Sequence, residues 1–202
     1  PKRDAALRVL QALHKPDVVD GLLLRLRHET DSIRRRGLLT ALCRLYHLDG
    51  VWKGNSWGTR PDTSGPYYQP EKWSESDKIA ATLKQTLDTA TGDEATFLLS
   101  QLSRHKVRID GSLDRALAMA SQDPAMIPTA IAEIGRAPVI PAEAVQLLQQ
   151  VAKQSDADAA LRSDAAAGLL RTDQAANFYL AFGTLVELNE KYGKKPAFES
   201  LW

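Results

Sequence analysis

The chain has 202 residues, of which 44% are hydrophobic and 25% charged, with a formal net charge of +1. That is the composition of a soluble globular protein with a core needing no staples, and it offers no overall field to draw in nucleic acid or an anionic membrane. One cysteine, Cys43, excludes an internal disulfide, a multi-cysteine zinc site and a CxxCH haem attachment within the chain, and no run of about 18 apolar residues is present to span a membrane.

In chain order, the apolar spacing predicts short amphipathic helices over 3–14, 17–29 and 32–47, then 77–90, 94–105, 113–121, 125–135, 142–154, 158–171 and 174–192. Pro16-Asp17 opens the second helix and Asp31 caps the third. Gly92-Asp93 closes one helix and caps the next, and Ser112, Asp123-Pro124, Pro141 and Asp173 are further start signals. No segment alternates with period two and β-branched enrichment, so the expected class is all-α. The first 48 residues carry ten Lys and Arg against five Asp and Glu, +5, which leaves −4 for the remainder. Cys43 falls on an apolar stripe and reads as a small buried side chain. The chain opens within an amphipathic helix, as a segment excised from a longer polypeptide would.

Residues 49–76, DGVWKGNSWGTRPDTSGPYYQPEKWSES, break this pattern. They hold Trp52, Trp57 and Trp73, the pair Tyr67 and Tyr68, four glycines and three prolines. Gly and Pro stop helices, one by backbone freedom and the other by a missing N–H and a ring clash. A solvated linker would be nearly free of aromatic rings, so this insert is expected to be ordered. Two readings follow. In one, the rings form a binding surface for a sugar, a peptide or a partner domain, with Trp57, Arg60, Tyr67, Tyr68 and Trp73 as contacts and Asp62 beside them. In the other, the rings form a lid over the flanking helix ends.

An internal similarity links two distant helices. Ile33-Arg34-x-x-Gly37-x-x-x-Ala41-Leu42 recurs as Leu161-Arg162-x-x-Ala165-x-x-x-Leu169-Leu170, with Asp31 and Asp158 two or three residues ahead. Small residues let helices approach closely, leucines face the next pair, and the Asp and Arg cap helix ends or bridge repeats. This motif resembles the second helix of a HEAT repeat. The resemblance implies an α-solenoid of about five helical hairpins over residues 1–202, with the insert between two helices. Trp57 to Trp73, WGTRPDTSGPYYQPEKW, is similar to a segment of the helical-repeat region of large PVC-type haem-binding, membrane-bound dehydrogenase-like bacterial proteins. That resemblance implies an extracytoplasmic, periplasmic setting and a larger polypeptide with a propeller and a cytochrome module. Neither CxxCH nor a propeller-like run of strands occurs here, so no cofactor, haem or redox chemistry is assigned to this chain.

The remaining candidates are weaker. Arg34, Arg35 and Arg36 step around a helix by about 100° each, so they form no single phosphate-binding patch; inter-repeat ion pairs suit them better. His14, His28, His47 and His105 lack metal-ligand spacing. No GxSxG, glycine-rich phosphate loop or paired-carboxylate motif is present, and no enzyme activity is expected. The expected function is a helical-repeat scaffold that positions flanking domains or binds a protein partner. The alternatives are a carbohydrate-binding module using the aromatic loop and, less favoured, a nucleic-acid binder resembling HEAT-like DNA glycosylases.

Overall fold

The structure, a computed structural model, describes residues 2–51 and 69–192. Among these residues it is all-helical, with ten α-helices, one 3-10 turn and no strand; an isolated antiparallel bridge joins Leu48 and Glu71. No described helix is long and apolar enough to cross a membrane. The chain divides into two compact units, residues 1–112 and 113–202.

The first unit holds α1 (Lys2–Leu10), α2 (Pro16–His28), α3 (Ser32–Leu45), α4 (Ser76–Thr89) and α5 (Gly92–Arg104). Helix α1 stops short of its expected end at residue 14. Lys15 precedes a proline, which drives it to extended backbone at φ −128°, ψ 137°, and Pro16 then opens α2. Asp31 caps α3 by accepting the Arg34 N–H at 2.8 Å. At α5 the cap differs from expectation. Thr91 occupies the N-cap without a side-chain bond, Gly92 starts the helix at φ +50°, and Asp93 lies in the first turn. There its charge still favours the helix N-terminus.

Helix α3 is the hub of this unit, packing on α1, α2, α4 and α5, while α2 also touches α4. Its Leu39, Leu42 and Leu45 are fully buried, as are Ile79, Leu83, Leu98, Leu99 and Leu102 from α4 and α5. Each such side chain contributes about 1.5–3 kcal/mol on burial. Cys43 is buried among them. Gly37 lets α1 approach, because a Cβ there would come within 3.0 Å of Leu7 Cδ1.

The second unit holds α6 (Ser112–Gln122), a 3-10 turn (Pro124–Met126), α7 (Ile127–Arg136), α8 (Ala142–Lys153), α9 (Ala159–Leu170) and α10 (Ala175–Tyr192). Asp123 caps the 3-10 turn and Asp158 caps α9. Here α9 is the hub, packing on α7, α8 and α10, and α8 also touches α10. Ile131, Ile134, Leu148, Val151, Leu169 and Leu185 form the core with small residues such as Ala165 and Ala166. Alanines on α9 allow close packing, and Gly168 is closest of all: a Cβ there would lie 2.9 Å from Leu148 Cδ1.

Candidate functional site

The root of the aromatic insert is fixed by the chain leaving α3. Four consecutive carbonyls follow one another there, and a helix C-terminus leaves such oxygens without intrahelical donors. Trp73 Nε1 donates to Leu45 O at 2.7 Å, and Ser76 Oγ donates to Tyr46 O at 2.7 Å. His14 Nε2 lies 2.8 Å from His47 O, and Glu71 N donates to Leu48 O at 3.0 Å. A carbonyl only accepts, so His14 carries its proton on Nε2. The return bond, Leu48 N to Glu71 O at 2.9 Å, makes a short antiparallel clasp. The chain positions on either side of the insert, Leu48 and Glu71, are therefore pinned to each other.

Trp73 serves this clasp. Its indole stands edge-on to the His14 ring, with centroids 5.5 Å apart and an interplanar angle of 74°. Its own N–H accounts for Leu45 O, and its backbone N–H donates to the buried Ser76 Oγ at 2.8 Å. Lys72 lies 5.8 Å from the centre of the Tyr46 ring and 3.1 Å from Asp77 Oδ1; the Asp77 hydrogen bond holds its ammonium above the ordinary lysine range. Of the five contact residues expected from the sequence, Trp73 is thus an anchor, as in the lid reading. Trp57, Arg60, Tyr67 and Tyr68 lie outside the described residues.

His47 extends the clasp to a third segment. Its Nε2 meets Lys106 O at 3.1 Å, and Lys106 takes the left-handed backbone, φ 55°, just beyond α5. Burial pushes the His47 pKa below its ordinary value, against the raising effect of the Lys106 and Glu71 carbonyls. Next to it in chain order, His105 closes α5 and is buried; burial, then Arg104 and Arg44, lower its pKa to about 4. Among the described residues no three His, Cys, Asp or Glu side chains converge as a metal site.

Similar arginine contacts occur in both units, one residue out of step with the sequence alignment. The matching arginine of α3 is Arg35, not Arg34. Arg35 Nη1 donates to Leu26 O near the end of α2, at 3.1 Å, and its Nε pairs with Glu94 on α5. In the other unit Arg162 Nε and Nη2 donate to Ala152 O near the end of α8, and the guanidinium pairs with Glu187 on α10 at 2.7–3.0 Å. That pairing raises the Arg162 pKa and lowers the Glu187 carboxyl. Asp31 and Asp158, both N-caps, each stand four residues before their arginine. The offset is therefore 127 residues rather than the 128 that aligns Ile33 with Leu161. Ile33 is 80% exposed and Arg34 points to solvent beside Asp31, whereas Leu161 is half-buried. Leu42 and Ala165 are buried and Leu170 is half-buried, with Leu169 facing the core in its place.

The three neighbouring arginines diverge as the helical spacing requires: Arg36 lies over the Phe97 ring at 5.2 Å, near Asp93. Arg171, which the sequence did not single out, donates to the carbonyls of Ile134, Gly135 and Ala137 at the end of α7. The equal Asp-x-x-x-Arg spacing is the signal that could have revealed Arg35, and nothing local marks Arg171. No family model matches the chain, nor does any curated protein or solved structure.

Proposed function

We propose that the chain is a non-catalytic helical-repeat module of HEAT-like hairpins that holds protein partners or flanking domains, with its aromatic insert as the contact element. Within the first unit, α3 touches α1 and α5 while α2 touches α4; within the second, α9 touches α7 while α8 touches α10. Alternate helices thus stack on alternate helices, the arrangement of solenoid repeats. The Asp cap and Arg bridge recur at the same two helix positions, which supports repetition beyond shared helicity. The resemblance of the insert to the repeat region of the dehydrogenase-like proteins favours an extracytoplasmic setting and a neighbouring domain as partner.

The observation that carries the contact role is the clasp. The segment bearing Trp57, Arg60, Tyr67 and Tyr68 lies between two chain ends that are bonded to each other, Leu48 and Glu71. Loops positioned by a rigid scaffold are where recognition concentrates. The test replaces residues 52–68 with a Gly-Ser linker of equal length, leaving Leu48, Glu71 and Trp73 in place. Helical circular dichroism is expected to stay unchanged, while cross-linking to partners in the native cell envelope, identified by mass spectrometry, drops for specific proteins. Unchanged cross-links with the variant would overturn the contact role, and loss of helical signal would make the insert part of the core.

A further inference from the structure

Helix α5 ends in a Schellman turn that departs from the usual pattern at one residue. Beyond Arg104 and the cap residue His105, the Lys106 N–H donates to Ser103 O at 3.1 Å and the Val107 N–H to Leu102 O at 2.9 Å. The residue between the cap and Val107 must take the left-handed backbone, and glycine is the ordinary choice because it has no Cβ to clash. Here it is Lys106, at φ 55°. A long side chain is thus kept where it strains the turn, and strain of this kind concentrates at binding and catalytic sites. Burial alternates along the same stretch: His105, Val107 and Ile109 are buried, while Arg104, Lys106 and Arg108 are exposed. The buried residues, with the His47 ring on Lys106 O, fix the backbone from within, and the three cations project from it into solvent. Among the described residues none of the three reaches a carboxylate within 4 Å, whereas Arg25, Arg34, Arg35 and Arg36 of the same unit each have one. The dipole of α5 accounts for Arg104 in its last turn, and not for Arg108 beyond the turn.

We infer that Arg104, Lys106 and Arg108 form a docking strip for a short acidic segment of a partner protein. Guanidinium and ammonium groups recognise carboxylates, and the two arginines can each hold one in a bidentate fork. Asp110, exposed two residues beyond Arg108, closes the run, and the chain as a whole carries only +1. A phosphate backbone or an anionic membrane would continue past that carboxylate, whereas a short peptide stops before it. The strained lysine gives the strip its middle charge: a glycine there would relax the turn and leave a gap between the two arginines. The inference takes from the proposed function only that the partner is a protein, and it does not involve the insert.

The test is fluorescence anisotropy of a fluorescein-labelled hexaglutamate peptide titrated with the full chain at about 20 mM salt, where exposed charges are little screened. Wild type is expected to bind it saturably, and more weakly as salt increases. The triple variant Arg104→Gln, Lys106→Gly and Arg108→Gln is expected to bind about tenfold more weakly or worse. A control that removes three other exposed cations, Lys15→Gln, Arg27→Gln and Lys153→Gln, should bind as wild type does. Lys106→Gly alone is expected to lose about two- to fivefold in binding while its melting temperature rises, a pairing that a purely structural lysine would not give. With folding of each variant verified by circular dichroism, four results would overturn the inference: no saturable binding of hexaglutamate, an equal loss in the control, a lower melting temperature for Lys106→Gly, or equally tight binding of oligothymidylate or phosphatidylglycerol vesicles. Peptide binding that fails while the cross-links through the insert persist removes the strip alone; cross-links lost with peptide binding intact leave it standing.

Discussion

Arginine replacement at three positions separates the two possible alignments of the repeated motif. Arg162 is 2% exposed, with two nitrogens on Ala152 O and two on the Glu187 carboxylate. Arg162→Ala removes those bonds and the packing of the aliphatic stem. Glu187 is half-exposed and keeps its solvation, so the penalty of a stranded buried charge does not arise. Ala152 O keeps a long contact from Thr184 Oγ1 at 3.4 Å. Charge-assisted hydrogen bonds are worth roughly 1.5–3 kcal/mol and the remaining stem packing adds to that, so the expected loss is about 3 kcal/mol. At α3, the side chain of Arg35 is 27% exposed and that of its partner Glu94 35%, which weakens the pair by solvent screening. With the Leu26 carbonyl bond included, Arg35→Ala is expected to lose about 1–1.5 kcal/mol. Arg34, half-exposed beside a half-exposed Asp31 at 3.9 Å, should lose no more than about 0.5 kcal/mol.

Urea denaturation followed at 222 nm on the three variants gives the order Arg162, Arg35, Arg34. If the two units unfold as separate transitions, each variant should move the midpoint of its own unit. An Arg34→Ala loss as large as that of Arg35→Ala would refute the 127-residue alignment, because it would make the solvent-facing arginine the bridging one.

Other expectations concern the helix ends and close approaches. The folded His105 holds its pKa near 4 against an ordinary value of 6.5, so above pH 6.5 both states leave it neutral and it adds no slope. Between pH 6.5 and 4 the unfolded chain takes the proton first, and stability falls with pH by about 3 kcal/mol in total; the difference between wild type and His105→Gln, titrated by urea melts across that window, should isolate this slope and vanish above it. Gly168→Ala pushes a methyl against the fully buried Leu148 and is expected to destabilise by about 1–2 kcal/mol. Gly21→Ala, with nothing near, should instead stabilise by about 0.5–1 kcal/mol, and thermal melts of the pair that move the same way would contradict this. Trp73→Phe keeps the ring against His14 and removes only the donor to Leu45 O, so about 1 kcal/mol is expected in the same melts, with faster hydrogen exchange at Glu71 and Leu48.

Much of the fold is visible in the chain because its helix boundaries are chemically marked. Pro16, Asp31, Asp123 and Asp158 each act where a start was expected, and the leucine spacing of α3 sends Leu39 and Leu42 to the core. The motif alignment slipped by one residue for a physical reason. Ile33-Arg34 and Leu161-Arg162 look alike as dipeptides, but one residue turns a side chain by about 100° on a helix. The cap fixes where a helix begins, and so which residue faces inward; spacing from Asp31 and Asp158 outranks likeness of the pair.

The insert was legible as an interruption and its attachment was not. Its aromatic composition signals burial or contact, yet the acceptors at the exit of α3 are backbone carbonyls, from Leu45 to Leu48, with no sequence signature. The donors are ordinary Trp, Ser and His side chains and the Glu71 N–H, Trp73 lying 28 residues from its acceptor and His14 33 from its own. Only the termination of α3 at Leu45 creates that demand for donors, and it does so by leaving oxygens that a longer helix would have bonded. His47 completes the arrangement, because its backbone carbonyl receives His14 while its ring reaches Lys106 beyond α5. One residue thereby joins the turn before α2, the exit of α3 and the end of α5, which ties the base of the insert to three separate segments of its unit. Substituting His47 removes only the ring contact to Lys106 and leaves the carbonyl that receives His14, so hydrogen exchange should quicken at the end of α5 while the turn before α2 stays held.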